Sequence, residues 1–265
     1  VVILMIRSIT LPGAEKGISF LVKPDFSKIN TQVALAALGQ AFFSLSLGMG
    51  CMITYGSYIP KRENLTKLAF TTAMSDTLFA ILAGLAIMPA VFAFGISPQE
   101  GPGLVFIVLP RIFGQIPLGN IFAVMFYLIL FIAAITSAIS LLEVVTAYIT
   151  ERLKMKRRTA AVIISALVAV CASFSSLSQG VLQDVKIFGK TIFDFFDYLS
   201  ANILLPLGGL SIVLFTGWYI KKSPVYDEFT NQGTLKGTLF RAYYFLIRYV
   251  APIAIAAIFV DLIVR

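Results

Sequence analysis

Histidine is absent from this chain of 265 residues, cysteine occurs only twice, and charged residues make up only 13%. Cys51 and Cys171 stand far apart in the sequence, so they offer no ligand set for haem, zinc or an iron–sulfur cluster. The chain also lacks a clustered nucleophile and base, which makes an enzyme the least favoured class. These absences argue against redox, zinc and covalent chemistry.

Acidic residues are scarce as well, with 13 Asp and Glu against 21 Lys and Arg and a formal net charge of +8. The basic residues lie between apolar runs, where membrane topology explains them better than nucleic-acid binding does. Hydrophobic residues make up 58% of the chain, and the mean hydropathy is +0.92. This composition predicts an all-α polytopic membrane protein, because several apolar runs are long enough to cross a bilayer as helices.

Six complete spans are predicted in one transmembrane domain over residues 1–265, at about 32–60, 64–95, 119–152, 159–175, 191–220 and 237–264. Basic residues cluster after the first, third and fifth spans, for example at Lys61, Arg152 and Lys221. The positive-inside rule places these ends in the cytoplasm. Residues 1–12 are interpreted as the end of a further membrane helix, so the chain is expected to be a fragment without the preceding helices.

Two connecting segments are predicted on the outer side. Residues 13–31 are expected to form a polar loop around Pro24. The apolar pieces between Pro98 and Pro117 are too short to span and favour short helices that lie on the outer face or re-enter it as a lid. An ordinary surface loop is the alternative for this second segment.

The stretch GQAFFSLSLGMG, residues 39–50, places three glycines and two serines inside an otherwise apolar run. Glycine relaxes the backbone, and serine hydroxyls can serve groups that lack partners in lipid. The run is longer than one span requires, which favours two half-helices joined by an unwound middle that binds a cation and a substrate. Close helix packing through small residues is the alternative.

Two further polar groups are expected at similar depth. Asp76 lies inside an apolar run, where a carboxylate costs about 2.5 to 3.5 kcal/mol, so it should face a cation or a proton path. A protonated carboxyl in a packing hydrogen bond is the alternative. Ala133, Thr136 and Ser137 stand at i, i+3 and i+4, an arrangement of oxygens that suits a hard monovalent cation. Hydroxyls that bond back to their own helix are the alternative there.

The motifs GQAFFSLSLGMG, SDTLFAILAGLAIMPA and AAITSAISLLE resemble the sixth, seventh and eighth helices of bacterial neurotransmitter:sodium symporters, the family that contains the bacterial leucine transporter. The resemblance implies the second half of an inverted-repeat fold with a discontinuous helix, from the end of the fifth helix to the eleventh, without helices one to four. It also implies a place in the bacterial cytoplasmic membrane, and it leaves a homodimer open.

The resemblance also implies roles for individual residues. Ser44 and Asp76 match ligands of a first sodium site, and Ala133, Thr136 and Ser137 match those of a second. The implied substrate pocket consists of Phe43, Ser44, Ser46, Met49, Ser137 and Leu141, with the carbonyls of Phe43 and Ser44 and the hydroxyl of Ser46 on the substrate amine. Asp197 matches an acid that closes the outer gate; a solvated residue at a helix entrance is the alternative.

The implied function is sodium-coupled symport of a neutral amino acid by alternating access, with Na⁺ as the coupling ion and no organic cofactor. Met49 stands where the leucine transporter has the phenylalanine of a Gly-Phe-Gly. Methionine is flexible and repacks readily, which favours hydrophobic or aromatic substrates over glycine and alanine. A cation-coupled carrier of the same fold for another small solute is the first alternative, and an ion channel is the second.

Overall fold

The computed structural model describes residues 1–61, 63–96 and 103–264. In chain order the α-helices are α1 (Val2–Ile9), α2 (Glu15–Val22), α3 (Thr31–Ser44), α4 (Cys51–Tyr58), α5 (Leu65–Ala93), α6 (Leu109–Phe113), α7 (Gly119–Leu153), α8 (Arg157–Leu177), α9 (Ile192–Asp197), α10 (Leu205–Leu214), α11 (Lys222–Phe229), α12 (Phe240–Phe245) and α13 (Ala251–Val264). The described residues contain no strand beyond a single bridge between Ile187 and Lys190. The all-α prediction is confirmed.

Short π-helical segments extend several of these helices. They comprise Leu104–Val108 before α6, Tyr198–Leu204 between α9 and α10, Phe215–Tyr219 after α10, and Leu246–Val250 between α12 and α13. Five helical stretches of the described residues are long and apolar enough to cross a membrane: Leu65–Ala93, Gly119–Leu153, Arg157–Leu177, Ile192–Tyr219 and Phe240–Ile263. Helices α3 and α4 have 14 and 8 residues, and neither alone reaches the roughly 20 that a span needs.

Packing groups the chain into two compact units. The first consists of Val1–Ile29 and Thr71–Ser137, and the second of Asn30–Phe70 and Ala138–Arg265. Helices α5 and α7 each continue from one unit into the other along the chain. The prediction of one transporter domain over residues 1–265 stays a prediction.

The core of the first unit joins the α1–α2 turn to the end of α5 and to α6 through buried apolar side chains, among them Leu11, Val91 and Ile112. The prediction of a polar loop over residues 13–31 was wrong for Glu15–Val22, which form α2. Gly17 explains why this segment folds against the core. A side chain there would stand 2.6 Å from the Met88 carbonyl oxygen, so glycine lets α2 lie directly on the backbone of α5.

The segment between Pro98 and Pro117 is described only from residue 103 onwards, and its beginning lies outside the described residues. The described part forms the π-helical segment Leu104–Val108 and α6, a continuous apolar helix too short to cross a bilayer. Leu109 and Ile112 are buried in the core of the first unit. These contacts favour the short-helix prediction over an ordinary surface loop.

A proline inside α5 is compensated by a serine of α1. Pro89 has no N–H and disturbs the hydrogen bonds of the helix around it. The Ala90 N–H, one residue further, donates to the hydroxyl of Ser8 at 2.9 Å. Ser8 is 3% exposed, so water does not compete for this donor.

In the second unit, α13 packs against α10 and α3, and α8 packs against α9. Helix α4 is held against α7 by side-chain hydrogen bonds. The Tyr55 hydroxyl donates to the Ser140 hydroxyl at 2.5 Å, and the Cys51 thiol contacts the Ser140 carbonyl at 3.9 Å. The two half-helices α3 and α4 are therefore fixed to different neighbours, which allows the chain between them to leave the helical path.

We expect Ser8→Ala to lower the free energy of unfolding by about 1–2 kcal/mol, because the buried N–H of Ala90 would lose its acceptor. The measurement is thermal or denaturant unfolding of the full-length protein in detergent. Ser19→Ala, at an exposed position of α2, is the matched control. Equal stability of the two variants would contradict this account of the proline.

Candidate functional site

The C-terminus of α3 is closed by its own backbone. The Ser46 N–H donates to the Phe43 carbonyl and the Leu47 N–H to the Phe42 carbonyl, both at 3.0 Å. This pair of bonds is a Schellman motif, which satisfies the last carbonyls of a helix and turns the chain away from its axis. The break predicted in GQAFFSLSLGMG therefore begins at a structured cap rather than in disordered coil.

Three residues of the break have left-handed backbone. Ser46 has a φ of 53°, Gly48 of 87° and Gly50 of 82°. Glycine adopts this conformation freely, whereas serine does so at a cost of about 1–2 kcal/mol. Ser46 therefore occupies a position where glycine would be more stable.

Gly48 lets the unwound chain touch the backbone of α10. A side chain at Gly48 would stand 2.5 Å from the Leu205 carbonyl oxygen and 2.9 Å from the Gly209 nitrogen. A side chain at Gly208 would in turn collide with the Gly48 carbonyl oxygen. The path of the break is thus fixed by contact between two backbones, which only glycine permits.

Two cavities lie beside α3 within the second unit, and one of them reaches the break. One, of about 340 Å³, is almost wholly apolar, and Ser46, Gly48 and Met52 are among its lining residues. The other, of about 350 Å³, is lined by Phe43 and Asp197 together. The structure therefore brings Asp197, from the end of α9, to the same space as one predicted substrate residue.

The second cavity also contains polar residues that the sequence analysis missed. Gln40, Asn202 and Asp261 line it beside Asp197. The Asn202 amide donates to the Leu262 carbonyl at 3.5 Å, which ties the π-helical segment after α9 to α13. A carboxylate inside the apolar sequence APIAIAAIFVDLIV was the signal that could have identified Asp261.

The predicted oxygens of the second sodium site lie in the middle of α7. The Thr136 hydroxyl donates to the Ala133 carbonyl at 2.9 Å, so these two oxygens are adjacent. This is the bond back to its own helix that the alternative interpretation of the motif predicts. A hydroxyl that donates its proton keeps lone pairs for a cation. Ala133, Thr136 and Ser137 are all exposed within the chain. The carbonyl and hydroxyls are chemically suited to sodium, an oxygen-seeking ion.

The other predicted site residues belong to both units of the chain. Asp76 is half-buried inside α5 and belongs to the first unit, with Ala133, Thr136 and Ser137. Ser44 ends α3 and belongs to the second unit. Met49 is half-buried in the break, and Leu141 is exposed on α7. The pairing of Ser44 with Asp76 stays a prediction.

A charged network at the end of α4 was also missed. The Tyr58 hydroxyl donates to one oxygen of Glu143, and Arg157 donates to the other, both at 2.6 Å. The Glu143 side chain is only 15% exposed, whereas that of Arg157 is 65% exposed. The network links α4, α7 and the start of α8. A glutamate within the apolar run of α7 was the sequence signal for it.

Comparison with known proteins finds relatives that are all described as sodium-dependent transporters or symporters. The family model of the sodium:neurotransmitter symporter family matches residues 1–265. An uncharacterized sodium-dependent transporter of Bacillus subtilis, YhdH, is 41% identical over 262 residues, which are 99% of this chain and 58% of that protein. One of Haemophilus influenzae is 41% identical over 97% of this chain and 56% of that protein. The chain therefore spans somewhat more than half the length of these relatives.

A solved structure shares the fold. The crystal structure of MhsT in complex with L-phenylalanine has 45% sequence identity and a TM-score of 0.86, with 98% of this chain and 59% of that chain covered. This similarity confirms the predicted fold class, the second half of an inverted-repeat fold with a discontinuous helix.

The matches agree with each other and with the resemblance inferred from the motifs. They confirm the prediction of a multi-pass protein of the bacterial cytoplasmic membrane, in a family of transporters rather than enzymes. The family model covers the whole of the chain. The chain belongs to the sodium:neurotransmitter symporter family.

Proposed function

We propose that the full-length protein is a sodium-coupled symporter that moves a neutral, hydrophobic or aromatic, amino acid into the cell by alternating access. The observation that carries this proposal is the left-handed break between α3 and α4, with its strained Ser46. Unwound backbone inside a membrane is tolerated where it lines a binding site. Family membership supports the coupling to sodium, and the complex of MhsT with L-phenylalanine supports the class of substrate.

The end of α3 is suited to the substrate ammonium. The last carbonyls of a helix carry partial negative charge, which attracts a cation. The Phe43 carbonyl accepts the Ser46 N–H at 3.0 Å, and its second lone pair has the capacity for another donor. We propose that this carbonyl, the Ser44 carbonyl and the Ser46 hydroxyl hold the ammonium. Phe43, Met49, Ser137 and Leu141 complete the proposed substrate pocket.

Sodium is assigned to the neutral oxygens and to the carboxylate in the apolar helices. We assign Ala133, Thr136 and Ser137 to one ion, on the resemblance of their motif. Ser44 and Asp76 are assigned to the other, on the resemblance of their motifs. Asp197 shares a cavity with Phe43 and is proposed as the outer gate.

We expect labelled leucine or tryptophan to accumulate above equilibrium in proteoliposomes of the full-length protein only with an inward sodium gradient. Asp76→Ala should lower this uptake at least about tenfold, because a sodium ligand couples to substrate binding. Thr77→Ala is the control, since the Thr77 hydroxyl bonds to the Ala73 carbonyl of its own helix at 2.9 Å. Uptake without sodium would contradict the coupling, and currents without substrate would indicate a channel.

Two substitutions at Ser46 distinguish the effect of backbone strain on stability from the effect of the hydroxyl on substrate binding. Ser46→Gly should keep or raise the thermal midpoint, because a φ of 53° suits glycine. Substrate affinity should fall about tenfold, since a hydrogen bond to a charged amine is lost. Ser46→Ala also lacks the hydroxyl but keeps the strain, so it should bind as weakly as Ser46→Gly and unfold at a lower temperature. Wild-type affinity in both variants would remove Ser46 from the site.

Affinities for amino acids of different size test the assignment of Met49 to the substrate pocket. In competition with labelled leucine, tryptophan should bind better than glycine or alanine, because a flexible methionine leaves room for large apolar groups. Met49→Phe should lower affinity for tryptophan relative to leucine by about tenfold, the scale of discrimination of a hydrophobic pocket. Equal affinity for all four amino acids, or a preference for the small ones, would contradict this assignment.

A further inference from the structure

Arg248 lies within a membrane-crossing helix, in the π-helical segment between α12 and α13. It follows the first residue of that helix, Phe240, by about two turns, or roughly 12 Å along the axis. Its Nε is buried and has no hydrogen-bond partner among the described residues. An arginine within a membrane-crossing helix is always charged, and such residues mark functional sites.

The guanidinium of Arg248 is surrounded by aromatic rings. Its Cζ lies 4.7 Å from the centre of the Trp218 ring, 5.7 Å from that of Tyr249 and 5.9 Å from that of Tyr244. Cation–π contacts hold the guanidinium in place without neutralising its charge. Trp218 is 56% exposed and Tyr249 43% exposed, as expected of rings at the level of lipid headgroups.

The backbone around Arg248 is built for close approach. Gly217 has no side chain, and a Cβ there would stand 3.0 Å from the Arg248 Cα. The Trp218 indole donates to the Arg248 carbonyl at 2.9 Å, and the Tyr244 hydroxyl donates to the Gly217 carbonyl at 3.3 Å. Two π-helical segments, Phe215–Tyr219 and Leu246–Val250, meet at this point. Such segments occur frequently at functional sites.

A second cation shares one of these rings. The Lys222 ammonium lies 5.5 Å from the centre of the Tyr244 ring, the same ring whose centre is 5.9 Å from the Arg248 Cζ. The ion pairs found in the described residues join Asp25 to Lys28 and Glu143 to Arg157, and neither involves this cluster. The positive-inside pattern places Lys221 and Lys222 on the cytoplasmic side.

We propose that Arg248 and Lys222 bind the phosphate of an anionic phospholipid from the cytoplasmic leaflet, with Trp218 and Tyr249 against its glycerol and upper acyl chains. A basic pocket between membrane helices at this level suits an anionic headgroup. The guanidinium fork can donate hydrogen bonds to two phosphate oxygens. Charge complementarity selects an anionic lipid over a zwitterionic one.

The test is native mass spectrometry of the full-length protein in detergent, incubated with equal amounts of phosphatidylglycerol and phosphatidylcholine of identical acyl chains. The wild-type protein should retain more phosphatidylglycerol, and Arg248→Gln should lower that preference about fivefold, the scale of one cation at the membrane surface. Arg241→Gln, which removes an exposed charge from the same helix, is the matched control and should change the preference less than about twofold.

Lys222→Gln changes an exposed side chain, so it tests the proposal even if Arg248→Gln fails to fold. This variant should also lower the preference for phosphatidylglycerol over phosphatidylcholine. A wild-type protein without preference for phosphatidylglycerol would overturn the proposal, as would equal retention in the two arginine variants. Inorganic phosphate is added in a separate arm. If millimolar phosphate raises the thermal midpoint and phosphatidylglycerol does not, the cluster takes a free anion, and the lipid proposal is wrong.

Discussion

Every backbone N–H and C=O group inside a bilayer must find its partner within the protein, because hydrocarbon offers none. The break between α3 and α4 meets this demand in two ways. The last carbonyls of α3 receive the N–H groups of Ser46 and Leu47, and the glycine-lined chain that follows lies against the backbone of α10. The interruption is therefore a defined structure. It can hold polar groups in a fixed position at a depth where water is scarce.

The same demand explains Ser8 and Pro89. Pro89 disturbs the hydrogen bonds of α5, and a hydroxyl from α1 accepts the N–H of the next residue. Glu143 has a similar need, since a nearly buried carboxylate requires more than one hydrogen-bond donor. Tyr58 and Arg157 supply them from two other helices. Each polar irregularity thus becomes a bond between helices, which lipid-facing apolar side chains alone would not specify.

A symporter of a neutral amino acid must bind the substrate's ammonium and carboxylate groups and a sodium ion within a medium that penalises charge. Helix ends and neutral oxygens bind such groups without burying a full unpaired charge. Ser46 is informative here, because it accepts backbone strain at a position where glycine would fold more easily. The proposed function accounts for that cost. Packing alone would favour glycine, as it does at Gly48 and Gly50.

Much of this protein could be read from its residues. Apolar runs gave the membrane class, and Gly39, Gly48 and Gly50 with their serines gave the discontinuous helix. Helix α2 was missed because it has only eight residues, too few to be stable as an isolated helix, and its packing depends on contact between Gly17 and α5. The environment of Asp197 was missed because Gln40 and Asp261 come to its cavity from other helices, α3 and α13.

By itself, the sequence determined the membrane class, the break and the oxygen-bearing residues, because hydrophobicity, glycine and side-chain chemistry are local properties. Only the tertiary structure decided which backbone Gly48 touches and which side chains surround Glu143 and Arg248. These features depend on helices far apart in the chain. Their mutual position is set by packing, which no local pattern of residues encodes.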